Sequence, residues 1–449
     1  MKYLFFISLL CCIALTGFAQ QDAPPVNAVH NFSLQDCINY AYEHQDTVVN
    51  AKLDIKSADY KVKETTGIGL PQISGSANFQ DYVKIPVTLI PAQFFGGKDG
   101  QFVPVQFGVK YQSNLGVNLS QILFDGSYLV GLKASRTYKE LSQRSLTRSK
   151  IDANVNVTKA YYQVLVSNEQ IRLLDADLNQ LKQQFDQTVA QNKQGFVEQI
   201  DVQRIQVQYN NLVTTRENTI RLLALNYQML KFQMGMPVNE EINLIDKLED
   251  IKLTDNIANA GDTTFYHNRI EYGLLETQKR LNDLDVANKK SHFYPTLTLN
   301  GNYNASYQDN SFGNLYSKTF PSSYFGLTLN VPIFSGGQRI NQLRQSKIAV
   351  LKSQNDLYNL KNAITLQANA AQISYTNGLK SLENQKENQK LAQEVLRVSK
   401  IKYQQGVGSS IEVTQAQTDL ETADNNYIQS LYDALVSKVD LDKAYGKIQ

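Results

Sequence analysis

Few residues of this 449-residue chain have the types and spacing that catalysis would need. The four histidines, His30, His44, His267 and His292, are scattered, without metal-ligand spacing. No HExxH, GxSxG or phosphate-loop pattern occurs. Gly406-Val407-Gly408 imitates part of a nucleotide loop, but that motif needs a preceding strand and here the preceding residues read as helix. A helix-to-helix turn is the better reading. The sequence therefore predicts no enzyme, no cofactor and no resident metal, and a secreted hydrolase is disfavoured. What stands out instead is a pair of similar glycine-led turns, Gly195-Phe196-Val197-Glu198-Gln199-Ile200 and Gly406-Val407-Gly408-Ser409-Ser410-Ile411, each followed closely by an acidic residue, Asp201 and Glu412.

The N-terminus sets the compartment in which those turns would work. Residues 1–19 read as a signal peptide: Lys2 gives a positive start, Leu4 to Thr16 an apolar stretch, and Gly17-Phe18-Ala19 a small-x-small cleavage site. The apolar stretch is about thirteen residues, short of the roughly twenty a spanning helix needs. Cleavage removes Cys11 and Cys12, leaving Cys37 alone and no internal disulfide. No later segment is a long uninterrupted apolar run, so entry into a membrane requires a closed β-barrel. A net charge of +2 without a basic block argues against nucleic acid as a partner.

Laid over itself, the chain repeats. Leu115 to Phe124 corresponds to Phe325 to Phe334 at an offset of 210, and Gln194-Gly195 with Ile200-Asp201-Val202 corresponds to Gln405-Gly406 with Ile411-Glu412-Val413 at 211. The predicted organisation is a first repeat over 20–235, a connector over 236–262 and a second repeat over 263–449. Each repeat carries a helix, a strand pair and a long helical hairpin. Leu115, Val117 and Leu119, and likewise Phe325, Leu327, Leu329 and Val331, alternate with small or polar residues, as a strand with one apolar face does. Upstream partners begin at Pro71-Gln72-Ile73 and Pro295-Thr296-Leu297, and the Tyr-, Phe-, Gly- and Asn-rich stretches after them read as loops. Phe79, Tyr82, Tyr303, Tyr307, Tyr324 and Phe325 are candidates for interfacial girdles. The stretch Lys84 to Val105, with Pro86, Pro91 and Pro104, lengthens the first hairpin and is expected outside the cell as a loop.

After each strand pair comes a proline-free helical segment, roughly Tyr128 to Lys193 and Arg339 to Gln404. At 1.5 Å per residue each would reach about 100 Å. Leu174, Leu178, Leu181 and Phe185, and in the second copy Leu391, Val395 and Val398, have the spacing of a coiled-coil seam. Leu212, Tyr227, Leu420 and Tyr427 mark the returning helices, and Gly235 with Pro237 stops the first of them. Four strands cannot close a membrane barrel, whose smallest examples have about eight, so the chain must oligomerise. Three copies would give a twelve-stranded barrel, and four copies would also close.

Phe32-Ser33-Leu34-Gln35-Asp36-Cys37-Ile38-Asn39-Tyr40-Ala41, Asn50-Ala51-Lys52 and both glycine-led turns resemble TolC-type outer-membrane efflux proteins, and the likeness extends to the internal duplication. The resemblance implies an α+β membrane protein: four β-strands per chain in a trimeric 12-stranded outer-membrane barrel, with coiled-coil helical hairpins forming a periplasmic α-barrel. It implies a homotrimer in outer-membrane lipid, a periplasmic adaptor (membrane fusion protein) at the two turns, and an inner-membrane RND or ABC-type transporter. By family pattern a gate falls at Asp201, tied to Tyr403, with acidic positions at Glu412 and Gln415. The second of these carries no acid here, and Gly408 replaces an arginine used in a further closing link. Symmetry would gather the Glu412 carboxylates around one axis, a cation-favouring ring. The alternative from another class is a periplasmic coiled-coil adaptor or scaffold without a pore, which accounts for the helices but not for the paired strands.

Overall fold

The computed structural model describes residues 30–248, 251, 253 and 264–448. The expected signal peptide and much of the connector lie outside these residues. The first half runs β1 (His30–Phe32), α1 (Leu34–His44), α2 (Asp46–Ile68), β2 (Gln72–Asp81), β3 (Val87–Pro91), β4 (Phe102–Gln106), β5 (Tyr111–Phe124), α3 (Gly126–Lys193) and α4 (Gln199–Met234). After β6 (Ile242–Leu244), the second half runs α5 (Ile270–Ser291), β7 (Thr296–Asp309), β8 (Phe320–Asn330), α6 (Gln338–Gln404) and α7 (Ser410–Ala444).

Helix α3 has 68 residues and α6 has 67, each about 100 Å of helix. Both begin within two residues of the expected starts. Asp125 caps α3, its Oδ1 accepting from the Ser127 N–H at 2.7 Å. The return helices are shorter, so α4 and α7 cover only the distal part of the long ones, and α2 and α5 pack along the rest. The α3–α4 seam is built of Leu174, Leu181, Ile205 and Leu212, with Leu178, Phe185 and Tyr209 beside them. The α6 seam differs from the expected one. Leu391 and Val395 are 56% and 53% exposed, while Leu396, the residue after Val395, is buried against Val413, Ala416 and Leu420. Its buried stripe follows a heptad through Ala368, Tyr375, Gln389 and Leu396, and the more apolar stripe is the uncovered one.

At mid-length a core of Cys37, Ile38, Ala41, Val157, Tyr161 and Leu230 joins α1 to α3 and α4. Strand β1 pairs in parallel with β6, within the expected connector, and Asp246 ties the junction by accepting from the Leu34 N–H at 2.9 Å and the Tyr161 hydroxyl at 2.8 Å. Burial pushes the Cys37 thiol up to about 12, so it stays protonated and unreactive. Gly235 ends α4 at φ +75°, and a Cβ there would meet the His44 carbonyl oxygen at 2.6 Å.

Strands β2, β5, β7 and β8 form one antiparallel sheet in that order, with β2 and β8 at its edges. Its register sorts residue types between the two faces. Val117 stands opposite Gly75 and Tyr303, and Leu119 opposite Ile73 and Gly301. On the other face Asn118 stands opposite Ser74 and Asn302, and Asn300 opposite Ser120 and Gly326. There the Asn302 amide donates to Asn118 Oδ1 at 2.6 Å, and the Asn300 amide to Thr328 Oγ1 at 2.9 Å. On the apolar face the Phe325 ring covers Gly301, where a Cβ would meet it at 2.8 Å. Every residue of β2 is exposed, so neither of its faces is covered by its own chain.

Three sequence-based expectations change here. Strand β7 continues to Asp309 through Tyr303, Tyr307 and Gln308, which had read as loop. The stretch after Lys84 is a hairpin of its own, with β3 and β4 in antiparallel register. Tyr324 stands opposite Asn302, on the polar face, apart from Phe325. An aromatic cluster does form at the loop end of the sheet, from Phe79, Tyr111 and Phe312 with Tyr307 against Tyr316.

The helical tips and the candidate gate

Both long helices end in the same turn. Gly195 and Gly406 adopt φ of +79° and +74°, the left-handed geometry that lets the chain reverse. At the first, the Phe196 N–H donates to the Gln191 carbonyl at 3.0 Å and the Asn192 amide to the Val197 carbonyl at 2.8 Å. At the second, the Val407 and Gly408 N–H groups donate to the Lys402 carbonyl at 3.0 and 3.1 Å, and Ser409 Oγ caps α7 by accepting from the Glu412 N–H at 3.2 Å. Glu198 opens α4 without a side-chain cap bond. The turns leave apolar side chains in water: Phe196 and Val407 are 77% and 79% exposed, and Ile200 and Ile411 are exposed beside them. Gln199 is exposed as well.

The two tips lie side by side. Gln208 of α4 donates its amide to the Thr414 carbonyl of α7 at 3.1 Å, and Ser410 Oγ donates to Asp201 Oδ1. Asp201 also pairs with Arg204 at 3.5 Å. Tyr403 approaches without bonding. Its hydroxyl is buried and has no hydrogen-bond partner among the described residues, and burial, then the Asp201 charge, hold its pKa above the usual tyrosine range. It faces a groove of about 160 Å³ between α3 and α6, lined with Gln180, Gln184, Gln187, Thr188 and Lys400. Within one chain, then, Asp201 is bonded to Ser410, and the expected bond to Tyr403 is not made. Glu412 and Gln415 are exposed on α7, and Gln415 donates to Asp419 at 2.8 Å. Ser410 had been read only as part of the turn, because nothing in a serine at a helix start distinguishes a cap from a ligand of the neighbouring tip.

Residues 37–225 and 276–447 match the family described as outer membrane efflux protein. The chain belongs to that family. Among curated relatives, TolC of Vibrio cholerae is 21% identical over 339 residues, covering 74% of this chain and 76% of that protein. The probable efflux pump outer membrane protein TtgC of Pseudomonas putida is 22% identical over 427 residues, covering 93% and 83%. Among solved structures, the open-state MtrE outer membrane channel of Neisseria gonorrhoeae superposes with a TM-score of 0.75 at 15% identity, covering 92% of this chain and 88% of that one. VceC of Vibrio cholerae gives 0.70 at 13% identity, covering 92% and 96%. This efflux protein is thus an outer-membrane exit duct that reaches into the periplasm, and its relatives are channels, not enzymes. No helix among the described residues is long and apolar enough to cross a membrane.

Proposed function

We propose that three copies of this efflux protein join their sheets into one twelve-stranded barrel and their helices into a periplasmic tube. The observation that carries this reading is the sheet itself: two uncovered edges, an apolar face and an asparagine-lined face. With four antiparallel strands, β2 and β8 run in opposite directions, so β8 of one copy can pair antiparallel with β2 of the next. Closure by count admits other copy numbers; the resemblance to TolC-type proteins favours three. Uncovered apolar stripes on α6 (Ile348, Leu351, Tyr358) and on α4 (Leu225, Met229, Phe232) offer the tube its contacts between copies. A poreless scaffold has no use for such a sheet. The halves, 20–235 and 263–449, are then two copies of one unit, and residues 1–19 direct export. Detergent-extracted protein is expected at the mass of a trimer, and a folded monomer in the membrane fraction would overturn the reading.

At the distal end, the exposed Phe196, Val407 and Ile411 support docking of a periplasmic adaptor on the two turns, which in turn engages an inner-membrane RND or ABC-type transporter. The gate at this end comprises Asp201, Tyr403, Glu412 and Gln415, with Ser410 added as the group that holds Asp201. Gly406→Asp places a branched, charged side chain at positive φ on the turn. It is expected to abolish export while the trimer mass is unchanged. Export at the parent rate would count against docking here.

A further inference from the structure

Asp177 of α3 and Asp424 of α7 are 6% and 8% exposed, on stripes otherwise occupied by Leu174, Leu181, Leu420 and Ile428. Both line one cavity, their carboxyl groups near enough for each to shift the other's ionisation, and the Gln389 amide of α6 donates to Asp424 Oδ1 at 2.7 Å. Three helices from both hairpins therefore meet at one carboxyl pair. The pair borders a cavity of about 70 Å³ that Glu421, Thr215 and Asn425 also line. Gln417, 1% exposed and one turn from Glu421, lies beside that carboxyl without closing a hydrogen bond of good geometry. Among the described residues no group of three or more His, Cys, Asp or Glu is placed to hold a metal ion.

Two buried carboxyl groups this close cannot both ionise, so one proton is shared. Asp424 receives the Gln389 donor, which leaves the proton on Asp177. Burial, and then the Asp424 charge, push Asp177 up to about 7. Burial raises Asp424 as well, against the pull of Gln389, and burial followed by Asp424 raises Glu421. Of the facing charges, Lys400 of α6 pulls Asp177 the other way, and burial holds Lys400 itself down at about 8. From α4, Leu212 and Thr215 face the cavity, and the nearby Arg216 is engaged by Asp175.

We propose that the Asp177–Asp424 pair is a protonatable latch between α3 and the α6–α7 hairpin, closed by one shared proton and released when that proton is lost. The proposal rests on reading the chain as a duct whose helical end opens. Because the folded chain holds the Asp177 proton up to about pH 7, against an ordinary value of 3.8, stability falls as pH rises through that window.

Gln170 and Asn425 flank the pair and touch at 3.4 Å, so spin labels on Gln170→Cys and Asn425→Cys report the α3–α7 separation. Cys37, wholly buried, stays unlabelled. In the assembled protein the label distance is expected to lengthen between about pH 5.5 and 8.5. A one-proton linkage limits the change in the separated-to-closed ratio to about tenfold per pH unit. Asp177→Asn keeps a donor toward Asp424 and should hold the distance short at every pH, and Asp424→Asn should also lose the pH response. An unchanged distance in the parent, or a response in Asp177→Asn equal to the parent's, overturns the latch. Labels that move without any change in planar-bilayer conductance leave the latch standing and count against the duct reading.

Discussion

Replacing Val117 by arginine is expected to abolish the assembled oligomer in the outer membrane, whereas the same replacement at Asn118 leaves it assembled. The two residues are adjacent on β5 but face opposite ways: Val117 lies among Gly75 and Tyr303, Asn118 beside Asn302. Arginine facing lipid near the midplane costs about 2–4 kcal/mol, and every copy in the ring incurs it. On the polar face the same side chain reaches water. Detergent extraction followed by mass measurement distinguishes the variants, and equal assembly of both would show that the sheet's two faces do not meet lipid and water as proposed.

The second large effect is expected at the tips. Asp201→Ala removes the acceptor of the Ser410 hydroxyl and the partner of Arg204. A hydrogen bond to a charged group contributes about 1.5–3 kcal/mol, on the order of ten- to a hundredfold in an open-to-closed ratio. Planar-bilayer conductance should therefore rise, and Ser410→Ala should reproduce the rise. Tyr403→Phe should leave conductance near the parent's, because the hydroxyl it deletes has no partner within the chain. That outcome inverts the expectation drawn from the family pattern, in which Tyr403 is the partner of Asp201. A rise in Tyr403→Phe with none in Ser410→Ala would restore it. Glu412→Gln, on the exposed start of α7, should lower cation selectivity without opening the tip.

The long helices were legible because nothing competes with them: stretches without proline and nearly without glycine end where Gly195 and Gly406 permit a reversal. The sheet was legible only in part. A strand of the proposed barrel, between lipid and water, needs no protein core on either side, so the end of β7 carries Asn304, Ser306, Tyr307 and Gln308 and reads as loop. Hairpin β3–β4 stayed hidden because Pro91 and Pro104 argue against strands, yet both strands of a two-stranded ribbon are edge strands, where proline is tolerated even at the mid-strand position of Pro104. The α6 seam was misread for a different reason. Periodicity finds the greasier stripe, and on α6 that is the exposed one, while the buried stripe carries Gln389 and Tyr403 among its apolar members. The same polar intrusions betray the Asp177 cluster, since an aspartate spaced between Leu174 and Leu181 faces the seam. The Asp201–Ser410 contact was beyond reach, because it depends on how far apart two turns some 210 positions distant come to rest.

The sheet's unlike edges carry a genetic consequence. The proposed ring, closed by β8 of one chain meeting β2 of the next, has no spare junction, so a single subunit with a blocked β2 edge would leave the circle open however sound the others are. Such an allele would behave as dominant over the intact gene. In a three-membered ring drawn at random from mixed subunits, the yield of complete ducts falls as the cube of the intact fraction, and overproducing the damaged chain poisons export more severely than deleting one gene copy.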